Sequence, residues 1–279
     1  MRRVNRVTLV SALAMFAGAA LAQMPVRPLD SRAVQRAPTS LARPAAVTHG
    51  TWEKGPGTYT VTLCSSGCTI DGAPGTTINV VIEVWSAGGG GGRGGAMNVA
   101  THGSAGGGGG GGGAYAKATL PVVVPASGTT LGYQVVVGSG GAAVGNSQSG
   151  TGIGTGGTSE VRKTGGLVML RATGGGGANI PFPPHGGTGG TGGVVTDGGG
   201  SMSAAGHPGG TGASVNTCNG GAGGLGGVGS GPGAINNGGA GGHGGYYHHL
   251  FNPTCTAASM GYGLSSGTAG GNGLVKITW

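Results

Sequence analysis

Gly186-Gly187-Thr188-Gly189-Gly190-Thr191-Gly192-Gly193-Val194 and Gly220-Gly221-Ala222-Gly223-Gly224-Leu225-Gly226-Gly227-Val228 repeat with a period of three residues. That period is neither the 3.6 of an α-helix nor the 2 of a strand; it is the period of the left-handed polyproline II helix, which has no internal hydrogen bonds. Such a helix leaves every backbone N–H and C=O to be paired sideways, and glycine-only faces let neighbouring helices come close enough to pair backbone to backbone. The repeat predicts a scaffold of packed polyglycine II helices.

Of the 74 glycines, 67 fall between Gly88 and Gly273. Ordering each costs roughly 0.5–1 kcal/mol more than ordering alanine, so only dense hydrogen bonding offsets the bias. A disordered low-complexity tract is the competing reading. Against it, glycine runs alternate with apolar, β-branched segments, and charged residues make up only 7% of the chain, where a disordered chain usually carries many.

Working outward, 58–63 (Thr-Tyr-Thr-Val-Thr-Leu) alternates strictly, and 77–85 (Thr-Ile-Asn-Val-Val-Ile-Glu-Val-Trp) is β-branched with an aromatic end. Both read as strands, with a turn at Asp71-Gly72-Ala73-Pro74-Gly75 between them. Further strand candidates are 114–120, 122–124, 131–137, 160–163, 167–172 and 274–279, with a hairpin around Gly165-Gly166. About seven strands suffice for a β-sandwich. The fold expected is all-β: a β-sandwich with an inserted bundle of polyglycine II helices, the closing strand pairing with an early one and the insertion leaving from one sheet edge.

The N-terminus, with Arg2, Arg3 and Arg6, an apolar stretch at 7–21 and Ala20-Leu21-Ala22 before Gln23, reads as a signal peptide over 1–22. The apolar stretch is shorter than the roughly 20 residues a membrane anchor needs. Residues 23–50, with Pro25, Pro28, Pro38 and Pro44 and several arginines, read as an extended linker, and 51–279 as the glycine-rich domain. The expected location is therefore secreted or at the cell surface, in a bacterial periplasm or outside the cell. Cys64, Cys68, Cys218 and Cys255 fit an oxidising compartment and allow three connectivities. Cys64–Cys68 with Cys218–Cys255 is preferred, the first closing a tight loop and the second stapling the ends of a long excursion. A zinc site is the weaker reading, because Cys-x3-Cys lacks a second close pair.

The formal charge of +8 invites a nucleic-acid reading, but seven Lys/Arg face five Asp/Glu from Pro44 onward. The body is nearly neutral, and no basic stripe interleaves with aromatics, so no nucleic-acid partner is expected. No glycine run ends in the Gly-Lys-Ser/Thr of a phosphate loop, and no Gly-x-Ser-x-Gly elbow joins a strand to a helix. The few carboxylates do not suggest convergent catalytic groups, so neither enzyme activity nor a cofactor is expected. His49, His102, His185, His207, His243, His248 and His249 are scattered and read as polar surface rather than metal ligands.

The strongest binding candidate is Tyr246-Tyr247-His248-His249-Leu250-Phe251, ahead of Cys255. Tyr246, Tyr247, His248, His249 and Phe251 interrupt the glycine region and offer rigid rings with hydrogen-bonding ends, as recognition of a surface glycan or protein requires. The same rings would also serve as a satellite core capping the bundle. Ile180-Pro181-Phe182-Pro183-Pro184-His185 has the same two readings.

Residues 80–87 (Val-Val-Ile-Glu-Val-Trp-Ser-Ala) before the run 88–92, 113–118 (Gly-Ala-Tyr-Ala-Lys-Ala), 135–141 (Val-Val-Val-Gly-Ser-Gly-Gly), 171–177 (Arg-Ala-Thr-Gly-Gly-Gly-Gly) and 273–279 (Gly-Leu-Val-Lys-Ile-Thr-Trp) follow one another in a set order. In this the chain, from about Tyr59 to Trp279, resembles the glycine-rich domain of bacteriophage tail-fibre and receptor-binding proteins and of bacterial surface proteins. The resemblance implies a β-sandwich carrying polyglycine II helices, as in the glycine-rich extracellular domain of anaplastic lymphoma kinase-type receptors, with tip loops that in phage adhesins touch the host. The function it implies is structural or adhesive; self-association into an extracellular matrix or filament is the alternative.

Overall fold

Alternation of threonine with Tyr59, Val61 and Leu63 sends one side of Gly57–Cys64 inward, and Val61 and Leu63 are fully buried. The same period of two in Thr77–Trp85 buries Ile78, Val80, Ile82 and Val84. These are β2 and β4 of eleven strands in the computed structural model, which describes residues 49–94, 106–143, 154–179, 187–197, 202–213, 222–233, 235–240 and 266–279. The others are β1 (Thr51–Lys54), β3 (Ile70–Asp71), β5 (Tyr115–Val123), β6 (Leu131–Val137), β7 (Ser159–Lys163), β8 (Val168–Ala172), β9 (Val195–Asp197), β10 (Met202–Ala204) and β11 (Leu274–Thr278). No helix occurs among the described residues, and the fold is all-β.

The strands form two sheets, ordered β1-β11-β4-β5-β10 and β3-β2-β6-β7-β8-β9. Every neighbouring pair is antiparallel except β2 with β3. As expected, the closing strand pairs early: β11 lies between β1 and β4, with Ile277 opposite Trp52 on one side and Ile82 on the other. Val61, Leu63, Val135 and Leu170 of one sheet and Ile82, Val84, Val275 and Ile277 of the other share a single hydrophobic cluster. Each such side chain contributes about 1.5–3 kcal/mol by leaving water.

Cys64 and Cys68 are disulfide-bonded, as expected, with Cα atoms 5.7 Å apart. The loop they close is fixed further by Asp71, whose carboxylate accepts the N–H groups of Cys68 at 2.8 Å and Gly67 at 3.2 Å. Cys218 and Cys255 lie outside the described residues.

One expectation differs in plan. The glycine segments do not leave from one sheet edge: they follow β4, β6, β8 and β10 and lead back into β5, β7, β9 and β11, so strands and glycine segments alternate along the chain in both sheets. The period of the sequence changes at each junction, from two within a strand to three beyond it.

Candidate functional site

Ten glycine-rich strings are described: string 1 (87–94), 2 (106–113), 3 (138–143), 4 (154–158), 5 (173–179), 6 (187–194), 7 (205–213), 8 (222–230), 9 (235–240) and 10 (266–273). Strings 1 and 2 contain the two long glycine runs. In string 2, Gly106, Gly109 and Gly112 donate to Ala213, Gly210 and His207 of string 7. Gly108 and Gly111 donate to Asn179 and Gly176 of string 5, and Gly110 and Gly113 to Gly239 and Asn236 of string 9. Successive donors thus rotate among three neighbours. The carbonyls rotate likewise, accepting from Gly187, Gly190 and Gly193 of string 6, Gly224, Gly227 and Ser230 of string 8, and Gly89 and Gly92 of string 1.

String 1 repeats the arrangement, donating to strings 4, 10 and 2 and accepting from strings 5, 3 and 9. Each central string therefore has six neighbours and, along the runs 88–92 and 106–113, no face left for a side chain. Residues 87–92 and 106–113 are buried throughout, and a Cβ on Gly109, Gly110 or Gly111 would overlap the carbonyl oxygen of Leu225, Gly89 or Thr191. None of these three glycines has positive φ. Close approach, not backbone conformation, excludes other residues here.

The remaining eight strings close a ring around this pair. Strings 3 to 4, 4 to 5 and 5 to 6 are joined by Gly157 to Ser139 (2.8 Å), Gly156 to Gly175 (2.8 Å) and Gly176 to Thr191 (2.7 Å). Strings 6 to 7, 7 to 8 and 8 to 9 are joined at Gly209 to Gly190 (2.8 Å), Gly210 to Leu225 (2.7 Å) and Gly238 to Gly227 (2.8 Å). Gly271 to Asn237 (2.7 Å) and Gly270 to Gly141 (2.9 Å) complete the circuit through string 10 back to string 3. A ring string has an outer face, and there the third residue of the triplet is exposed: Thr188, Thr191 and Val194 in string 6, Leu225 and Val228 in string 8. This explains the sequence division into pure glycine runs and Gly-Gly-X repeats.

Where strand pairing changes to string pairing, backbone groups fall out of register with both. Buried polar side chains fill the seam. Ser86 Oγ accepts the N–H of Ala114 at 2.8 Å and donates to Thr173 O at 2.6 Å; Ser159 Oγ accepts Gly138 N–H at 2.9 Å. Ser230 Oγ donates to Ala204 O at 2.8 Å, and Asn236 Nδ2 to Ala114 O at 3.2 Å. Trp85 and Tyr115 pack with ring centroids 4.9 Å apart, and Tyr115 donates to Glu83 at 2.7 Å. Burial, reinforced by that carboxylate, pushes the Tyr115 phenol well above its usual range, so it remains a neutral donor. Sequence reasoning did not single out these seam residues; the available signal was a small polar residue between a strand and a glycine run, as in Trp85-Ser86-Ala87-Gly88.

Tyr246, Tyr247, His248, His249 and Phe251 lie outside the described residues, as does 180–185. What is described is where their connections begin and end. At the end of the strings away from the sheets, the described residues stop at 94 and resume at 106, and likewise at 143 and 154, 179 and 187, 213 and 222, and 240 and 266. Of the histidines, His207 is exposed in string 7, and His49 Nδ1 lies 3.3 Å from Trp279 O. Cys64, Cys68 and Asp71 cluster within 4.8 Å, but the two sulfurs are bonded to each other and supply no thiolate.

On the outer face of β6–β9, Val136, Glu160, Arg171 and Asp197 stand in one cross-strand row. Arg171 bridges Glu160 at 2.8 Å and Asp197 at 3.0 Å, and Arg162 also pairs with Glu160, which is only 4% exposed. No protein-family model matches the chain, and no curated protein matches it.

Proposed function

We propose that this chain is an exported, non-catalytic structural or adhesion protein. In this reading a β-sandwich runs directly into a bundle of polyglycine II helices, which holds five connecting segments away from the sheets. The observation that carries it is the three-residue rotation of donors and acceptors around strings 1 and 2. Eight residues at 3.1 Å each make string 2 about 25 Å long, a rigid spacer of very low mass.

Tyr246 and Tyr247 belong to the longest of the five connections, 241–265, and are proposed to contact a surface glycan or protein. Exposed Thr188, Thr191, Leu225 and Val228 weigh against the matrix alternative, since side chains on the outer faces block further backbone pairing between copies. The expected result for Tyr246→Ala/Tyr247→Ala is an unchanged far-ultraviolet circular dichroism spectrum and melting temperature with at least tenfold weaker binding to whole cells. Unchanged cell binding would remove these residues from the adhesive role; concentration-dependent filaments in light scattering would favour the matrix reading.

A further inference from the structure

We infer that the outer face of β7–β9 and the adjoining strings form a binding groove for a neutral oligosaccharide. Two clefts lie end to end there, because strings 4, 5 and 6 are the continuations of β7, β8 and β9. One, of about 440 Å³, is lined by Thr158, Glu160, Arg162, Arg171, Thr173 and Thr196. The other, of about 350 Å³, begins at the next residue, Gly174, and runs over Gly176 and Gly177 between Thr155 and Thr191. Both are open to solvent along their length rather than enclosed, a form that receives an extended chain laid on the surface.

The chemistry selects the ligand class. Three of the few charged groups in the body, Glu160, Arg162 and Arg171, line the first cleft, and Asp197 pairs with Arg171 beside it, so that two guanidiniums and two carboxylates are already matched with one another. An anionic ligand meets Glu160 and Asp197, and a cationic one meets Arg162 and Arg171. Neither gains a net counter-charge. A vicinal diol does fit: each hydroxyl both donates and accepts, so it pairs with a carboxylate oxygen and a guanidinium N–H side by side without disturbing the balance. The second cleft has Thr191 and Asn179 at its edges and a floor of glycine backbone at Gly174, Gly176, Gly177, Gly189 and Gly190, over which a chain of sugar rings can lie. Its direction along string 5 makes the ligand extended.

This deepens the adhesion reading and rests on it for the source of the saccharide, but it uses other residues than Tyr246 and Tyr247. The test titrates the full secreted protein with maltohexaose, cellohexaose and chitohexaose, and with hexagalacturonate and hexaglucosamine as charged counterparts, by calorimetry and amide chemical shifts. At least one neutral hexamer is expected to bind at least tenfold more tightly than both charged ones and to shift the amides of Thr173, Gly174 and Gly177. Thr196→Trp, at an exposed position on the rim, is expected to abolish that binding, and Arg171→Met to weaken it at least tenfold, with melting of each variant followed in parallel. No binding by any neutral hexamer, tighter binding of a charged one, or undiminished binding by Thr196→Trp overturns the inference. Whole-cell binding that survives Thr196→Trp but not the Tyr246/Tyr247 change also overturns it while leaving adhesion standing.

Discussion

Gly110→Ala is expected to destabilise the protein by about 3–5 kcal/mol, above the 1–3 kcal/mol usual for an overpacked core. The added methyl would overlap the carbonyl oxygen of Gly89. That carbonyl cannot turn away, because it accepts the N–H of Gly239 at 2.7 Å, while Gly110 itself donates to Gly239 O at 2.7 Å and accepts from Gly227 at 2.7 Å. Three strings would have to move together, and a backbone has no alternative rotamer with which to yield. Against a typical total stability of about 5–15 kcal/mol, this one methyl removes a large fraction. Leu225→Ala, at a position 80% exposed on the ring, should change stability by no more than about 0.5 kcal/mol. Urea unfolding of both variants checks the contrast; equal effects would mean that the two glycine classes are not packed differently.

Ser86→Ala should cost about 2–4 kcal/mol although it removes a single oxygen. Ser86 is fully buried, and its hydroxyl serves two backbone groups, the N–H of Ala114 and the C=O of Thr173. Both would be left without a partner, the N–H of Ala114 in a fully buried place and the C=O of Thr173 in a half-buried one, and each orphaned buried group costs about 1–3 kcal/mol. The melting temperature is the readout, with Thr211→Ala on the exposed outer face as the control expected to be neutral. A Ser86→Ala protein as stable as the parent would show that the seam can relax to pair these groups another way.

Much of the strand content was legible because alternation is local. Thr77–Trp85 and Leu131–Val137 coincide with the expected bounds, and the hairpin at Gly165-Gly166 joins β7 to β8, both glycines at positive φ. Two expected segments, 114–120 and 122–124, are one strand, Tyr115–Val123, that runs through Pro121. Proline is tolerated there because, among the described residues, β10 pairs with β5 only at Tyr115–Lys117, so no described strand needs a ladder N–H from Pro121 on that edge. Val195–Asp197 and Met202–Ala204 were missed: three residues cannot display a period, and these strands form only because β8 and β5 offer edges.

Within the glycine region, the three-residue period was legible, but the assignment of strings 1 and 2 to the centre was not drawn. Run length carried it. A string surrounded on six sides tolerates glycine alone, so the uninterrupted runs 88–92 and 106–113 mark the interior and the Gly-Gly-X repeats the ring. The seam serines were illegible for another reason. Their role depends on where a two-residue register meets a three-residue one, and that place is set by pairing between segments distant in sequence, such as Ser86 with Ala114 and Thr173.

Site-resolved amide hydrogen exchange by nuclear magnetic resonance tests the central claim most directly. Gly187, Gly190 and Gly193 of string 6 donate inward to Gly106, Gly109 and Gly112, whereas the N–H groups of Gly189 and Gly192 meet no acceptor among the described residues. Strong protection at 187, 190 and 193, fast exchange at 189 and 192, and protection at every donor of 108–113 is the predicted pattern. Exchange across 106–113 and 187–193 at the rate of an unstructured peptide would contradict the account.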